Sequence, residues 1–236
     1  MIRRRTGAAE EEVAVRRLFP SLADSRAARI DLDAAFQRWR RANPDYCVRG
    51  GPNPYLDPIV AGQIMEEIHR AEGVAWSFGG YLEDRRHLLA GSYLDATGHF
   101  THLGVDAHVP QGTPLVAGAP GTVLLVDDDQ DTDGGWGPRV FLRRAVDEDD
   151  DIVGVFAHLQ APRCRAGDEV GPADVFAEIG GPPGNGNWHP HLHLQVLGIR
   201  TFEELIVEGL RRLDGYGPPG KKRELAARFA DPLREW

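Results

Sequence analysis

Three short segments hold most of the side chains able to do chemistry in this chain: His102-Leu-Gly-Val-Asp106, Phe156-Ala-His158-Leu159 and His189-Pro-His191-Leu-His193. On an extended segment alternate residues face the same side, so His191 and His193 project together while Leu192 and Leu194 turn away. Three histidines in five residues are poor core filler, and two adjacent imidazoles on one face suit a shared metal or a shared substrate. His102 and Asp106 stand four apart. Gly104 and β-branched Val105 disfavour a helix there. In extended chain the even spacing again puts both on one side, with Gly104 leaving room for a metal or ligand beside the backbone. Two neutral imidazoles and one carboxylate make a three-ligand set that leaves a fourth zinc position open for water. Such a metal lowers the pKa of water toward ~7 and polarises the bond under attack. His158 and His191 are the free imidazoles best placed to move a proton or steady an oxyanion. His108 shares strand parity with His102 and Asp106. It and His189, with Trp136 and Trp188 as apolar walls, are the candidate substrate-binding residues. Gly184 and Gly186 suggest either a mobile loop over the metal or a plain tight turn.

These residues need rigid elements to position them. From about residue 75 glycine becomes frequent and short β-type runs alternate with turn signals, placing strands at 113–117, 121–127, 139–146, 152–158, 174–179 and 191–197. The acidic stretch VDEDDD between two of them reads as a solvated hairpin loop. Residues 8–42 read as helical, with Leu18, Leu22, Ile30, Leu32, Phe36 and Trp39 lining a buried face. Residues 43–58 read as a connector, and 58–72 as a short helix opened by Pro58. After residue 200, TFEELIVEGLRRL is amphipathic, with Thr201 as N-cap and Glu204 three residues on; KKRELAARF reads as a second helix. The division is therefore a helical extension at 1–74, a mainly β catalytic domain at 75–200 and a helical extension at 201–236.

Composition removes some functions. The net charge of −9, with no basic stripe to offset it, argues against a general nucleic-acid partner. No run approaches the ~18 apolar residues of a membrane span, and the N-terminus lacks the apolar stretch of a signal peptide, so the expectation is a cytoplasmic protein without a membrane partner. Cys47 and Cys164 are the only cysteines and do not make a disulfide framework.

Four segments together, THLGVDAHVPQGTPLVAGAPGTVL, VGVFAHL, AGDEVGPADVFAEIGG and PHLHLQV, resemble the lysostaphin-type (LytM-like) zinc metallopeptidases in order and spacing over about residues 98–198. The resemblance implies an antiparallel β-fold of the LytM-like, duplicated-hybrid-motif type with a groove over one zinc per chain. It implies zinc ligands at His102, Asp106 and His193, catalytic histidines at His158 and His191, and hydrolysis of a peptide or small-molecule amide by metal-activated water. Secreted members act on peptide cross-links of peptidoglycan. GGYLEDRRH and GNWHPHLHLQV are also similar to a cytoplasmic subgroup in which a related domain sits fused between kinase-like and aminotransferase domains. Here Phe156 replaces the family's common Tyr, and Arg143-Arg144 stand near the place of an Asp-His pair. Two other readings stay open: the same zinc site serving elimination, isomerisation or cyclisation of a small molecule, and a non-catalytic zinc-stabilised binding module.

Overall fold

The computed structural model describes residues 7–46, 51–146 and 151–236. Cys47 and most of the acidic stretch at 147–150 lie outside the described residues. In chain order the elements are α1 (Ala8–Arg16), β1 (Ala27–Arg29), α2 (Leu32–Ala42), α3 (Pro58–Glu72), β2 (Trp76–Gly79), β3 (Thr101–His102), β4 (Val105–His108), β5 (Pro114–Val116), β6 (Gly121–Asp129), β7 (Gly137–Arg144), β8 (Ile152–Ala157), β9 (Leu159–Gln160), β10 (Glu169–Val170), β11 (Val175–Ile179), β12 (Leu192–Gly198), α4 (Ile199–Glu208), β13 (Tyr216–Gly217), α5 (Lys222–Arg228), β14 (Phe229–Ala230) and α6 (Pro232–Glu235). Short 3₁₀ turns add Pro20–Leu22, Pro44–Tyr46, Pro54–Leu56, Tyr93–Ala96 and Leu210–Arg212.

The main sheet runs β1-β2-β4-β12-β8-β7-β6-β10, with β14 beside β12. Its pairs are antiparallel except β1 with β2. A smaller sheet, β5-β11-β9, and a two-stranded ribbon, β13-β3, complete it. The mainly antiparallel β core with helical N-terminal and short C-terminal additions is as the sequence implied.

Side-chain alternation splits the sheet into two faces. Leu192, Leu194, Val105, Ala107, Val140, Leu142 and Phe156 enter one core, shared with Phe19, Trp76 and Phe176. On the other face Phe141, Val153, Val155 and Leu197 pack against Phe202 and Leu205 of α4. Asp106, His108 and His193 stand on that second face. A third core joins α2 and α3 through Phe36, Trp39, Ile64 and Ile68 to Leu88, Leu89 and Leu94, so the N-terminal helices are fused to the β domain.

Several elements differ from the sequence reading. The helix expected over 8–42 is three pieces. Pro20 opens a 3₁₀ turn after α1, and residues 27–29 pair with β2 as an edge strand. Asp31 then starts α2 by accepting from the Ala34 N–H at 2.9 Å, a cap of about 1 kcal/mol. Leu22 is only half-buried, unlike Leu18, Ile30, Leu32, Phe36 and Trp39. The 43–58 connector carries two 3₁₀ turns. The helix α3 begins at Pro58 as expected, capped by Asp57 and ended by Gly73 at φ 67°. α4 starts earlier than Thr201: β12 runs directly into it through Gly198, leaving Thr201 inside the first turn. The second C-terminal helix forms at Lys222–Arg228. Among the described residues no helix is long and apolar enough to cross a membrane.

Candidate metal centre and its chamber

Asp106 and His193 are direct partners in the β4–β12 ladder, so the pairing register alone places a carboxylate beside an imidazole. His102 arrives from β3, just before the turn at Gly104. A Cβ on Gly104 would lie 2.6 Å from the His193 ring and 2.6 Å from the Leu194 carbonyl. The room Gly104 leaves is therefore filled by the His193 imidazole and the strand backbone, not by a ligand. His102 Nε2 lies 3.0 Å from His193 Nδ1 and 3.4 Å from Asp106 Oδ1; His193 Nδ1 is 3.0 Å from the same oxygen. Among the described residues these three are the group of His, Cys, Asp and Glu whose donor atoms converge in this way.

The outer hydrogen bonds decide what the convergent atoms are. His102 Nδ1–H donates to the Gly80 carbonyl at 3.1 Å, which leaves Nε2 a lone pair. His193 Nε2–H donates to Gln195 Oε1 at 3.1 Å, which leaves Nδ1 a lone pair. The Gln195 amide is oriented by its own N–H on the Asp214 carbonyl at 3.3 Å. Arg85 Nη1 donates to Asp106 Oδ2 at 2.5 Å, which leaves Oδ1 facing inward. Three electron-rich atoms about 3 Å apart, each backed by an outer partner, repel one another unless a cation stands between them, and outer hydrogen bonds of this kind are the signature of metal ligands. The donor set thus fits a divalent ion.

The electrostatics agree. His102 is 1% exposed; burial first, then the Arg85 charge, push its pKa down to about 3, so it is a neutral ligand at pH 7. Burial would raise Asp106, but the His102 and Arg85 interactions outweigh it and hold the carboxylate well below its usual range. Arg85 is 3% exposed. Burial opposes its charge, and Asp106, Tyr216 and Glu83 more than restore it.

His158 and His191 face the metal ligands. His158 sits between β8 and β9 at φ 62°, a left-handed conformation uncommon for a residue with a side chain. It is held by its N–H on the Trp136 carbonyl at 3.0 Å and by its carbonyl accepting from Gly180 at 2.9 Å. Its Nδ1–H donates to the Asn185 carbonyl at 2.9 Å; His191 Nδ1–H donates to the His189 carbonyl at 2.8 Å. Both Nε2 atoms are therefore free acceptors, and the two rings lie 4.5 Å apart. Burial depresses both pKa values.

The remaining candidates also line the cavity, as do Tyr55, Arg85, Leu88, Leu89, Tyr93 and Tyr216. His108 Nδ1 lies 3.0 Å from His189 Nε2, and both form wall rather than ligand set. Trp136 meets the His193 ring edge-on at 5.1 Å, and Trp188 Nε1–H donates to the Gly135 carbonyl at 3.0 Å. The loop with Gly184 and Gly186 is anchored: a Cβ on Gly186 would sit 2.1 Å from the Gly135 carbonyl. Sequence reasoning assigned no role to Arg85, Gln195 or the three tyrosines. Strand parity with His193 could have found Gln195, and GGYLEDRRH contains Arg85; nothing local marks the tyrosines.

The model of peptidase family M23 matches residues 100–202. Over those residues the chain is similar to M23 peptidase domains. No curated protein matches the chain. Among solved structures, LytU is 26% identical, over 42% of this chain and 62% of that one, with a TM-score of 0.34. The catalytic domain of lysostaphin from Staphylococcus simulans is 24% identical over 42% and 68%, TM-score 0.34. A point mutant of the catalytic domain of the prophage-encoded M23 protein EnpA from Enterococcus faecalis is 21% identical over 56% and 76%, TM-score 0.37. The M23 family uses zinc, and His102, Asp106 and His193 are the candidate site for it in this domain.

Proposed function

We propose that this M23-like domain is a zinc-dependent hydrolase of an amide or peptide bond, with one zinc per chain held by His102 Nε2, Asp106 Oδ1 and His193 Nδ1. The observation that carries this reading is the convergence of three lone-pair atoms, each fixed from behind, beside two imidazoles with free Nε2 atoms. Zinc in such a set would supply Lewis acidity and an activated water. His158 and His191, neutral at pH 7, each offer one lone pair to the cavity. One would accept a proton from the attacking water and, as Nε2–H, steady the developing carbonyl oxygen before returning that proton to the leaving nitrogen; the other would orient the water through its own Nε2 lone pair. Their Nδ1 bonds fix tautomer and ring plane, so neither ring reorients between these tasks.

Metal analysis of the purified protein and of His193→Ala tests the ligand set, with about one zinc per chain expected in the wild type and loss in the variant. Incorporation of oxygen-18 from solvent into the cleaved product tests hydrolysis. A turnover product free of solvent oxygen would instead support elimination, isomerisation or cyclisation at the same metal.

A further inference from the structure

We propose that the metal centre works in a narrow, half-open pocket and takes a small amide, or the terminal residues of a short peptide, rather than an internal bond of an extended chain. This rests on the hydrolase reading above. Residues 100–202 supply the metal donors and the two catalytic histidines, but the facing walls come from elsewhere: Tyr55 from the 3₁₀ turn before α3, Leu88, Leu89 and Tyr93 from the segment after β2, and Tyr216 from β13.

These walls touch the β6–β7 loop and form a partial roof. Gly134, at φ 89°, lies under Tyr93 so tightly that a Cβ there would be 2.2 Å from the Tyr93 ring. Gly215 lies under Trp136, whose ring would be 3.7 Å from a Cβ at that position. Trp188 is tied to Gly135 by its indole N–H. The chamber left between them measures ≈ 50 Å³, room for a metal ion and a few waters.

An extended peptide advances about 3.3 Å per residue and needs an exit at each end of the cleavage site. On one side that exit is blocked by His108 and His189, whose far sides line a separate groove with His69 and Glu66. The charged groups of the chamber, Arg85 and Asp106, are paired with each other. Tyr55, Tyr93, Tyr216, Trp136, Leu88 and Leu89 make the remaining surface aromatic and apolar. The substrate class is therefore a compact amide with a small apolar substituent.

Binding of zinc-directed probes tests this without turnover. Acetohydroxamate and the hydroxamate of a hexaglycine peptide are titrated calorimetrically into zinc-loaded wild type, Tyr55→Ala and Tyr93→Ala. Tyr93 is 46% exposed, so its variant folds even where loss of the buried Tyr55 does not; Tyr93→Phe keeps the roof and serves as control. The small probe binds wild type, the long probe binds at least about tenfold more weakly, and opening the roof recovers the long probe by about tenfold. Equal binding of both probes to wild type, or no recovery in Tyr93→Ala, overturns the narrow pocket while leaving the hydrolase reading intact. Failure of both probes to bind a protein shown to carry zinc overturns the open coordination position, and with it the reading on which the pocket proposal rests.

Discussion

Two pairs of buried histidines line the same pocket, yet only one pair is built to hold a cation. His102 and His193 each spend one nitrogen on a fixed acceptor, Gly80 or Gln195, and aim the other at Asp106 Oδ1. His108 and His189 are equally buried and equally close, 3.0 Å between ring nitrogens, but they share that contact with each other. His189 Nδ1 has no hydrogen-bond partner among the described residues. Burial and proximity are common to both pairs. The outer acceptor and the nearby carboxylate separate ligand from wall.

The comparison can be broken in several places. The largest effect is expected at Arg85, the buried permanent cation paired with Asp106 when no metal is bound. Arg85→Met should cost about 3–5 kcal/mol in the metal-free protein, because it leaves an uncompensated carboxylate, and clearly less in the zinc-loaded protein. Urea unfolding with and without zinc measures both; equal losses would deny the carboxylate its double partnership. His158→Ala and His191→Ala should each lower kcat by about 10²-fold or more with zinc content unchanged. Full activity in both variants would remove them from the chemistry. Gln195→Ala should weaken zinc by roughly 10–100-fold, whereas His189→Phe should leave zinc affinity within about twofold. A competitive chelator titration compares them, and similar losses would erase the distinction between the two pairs.

Acid sharpens the same contrast. A histidine whose folded pKa lies below its unfolded value takes up a proton on unfolding, so its contribution to stability is present above about pH 6.5 and is lost as pH falls. For His102 that loss extends down to about pH 3, and burial depresses His108, His158, His189 and His191 as well. The metal-free protein should therefore lose stability steadily below about pH 6.5 with net proton uptake. Urea midpoints between about pH 7 and pH 4 that do not move would contradict this.

The candidate trio was legible because its spacings are local: Asp106 and His193 meet in the β4–β12 ladder, while His102 reaches them across the bend at Gly104. The strands β5 to β8, β11 and β12 were legible for the same reason, whereas the short strands β1, β2, β10, β13 and β14 were not. The single helix over 8–42 was not, although Pro20 and Asp31 both mark breaks; the composition of the stretch outweighed its punctuation, and pairing of 27–29 with β2 is a tertiary event. Arg85 reaches Asp106 across 21 residues and Tyr55 reaches His189 across 134. Such partners are set by packing, which no short window records.

The partnership of Asp106 with His193 spans 87 residues of chain. An ion held by both would act as a removable cross-link, closing a long loop much as a disulfide does, with an entropic benefit that grows with the logarithm of loop length. Zinc would then hold the β4–β12 register as well as act on substrate, and a one-residue slip of either strand would turn one ligand into the opposite core. Loss of the ion should show first as loosened exchange protection along that strand pair, before any change elsewhere in the sheet.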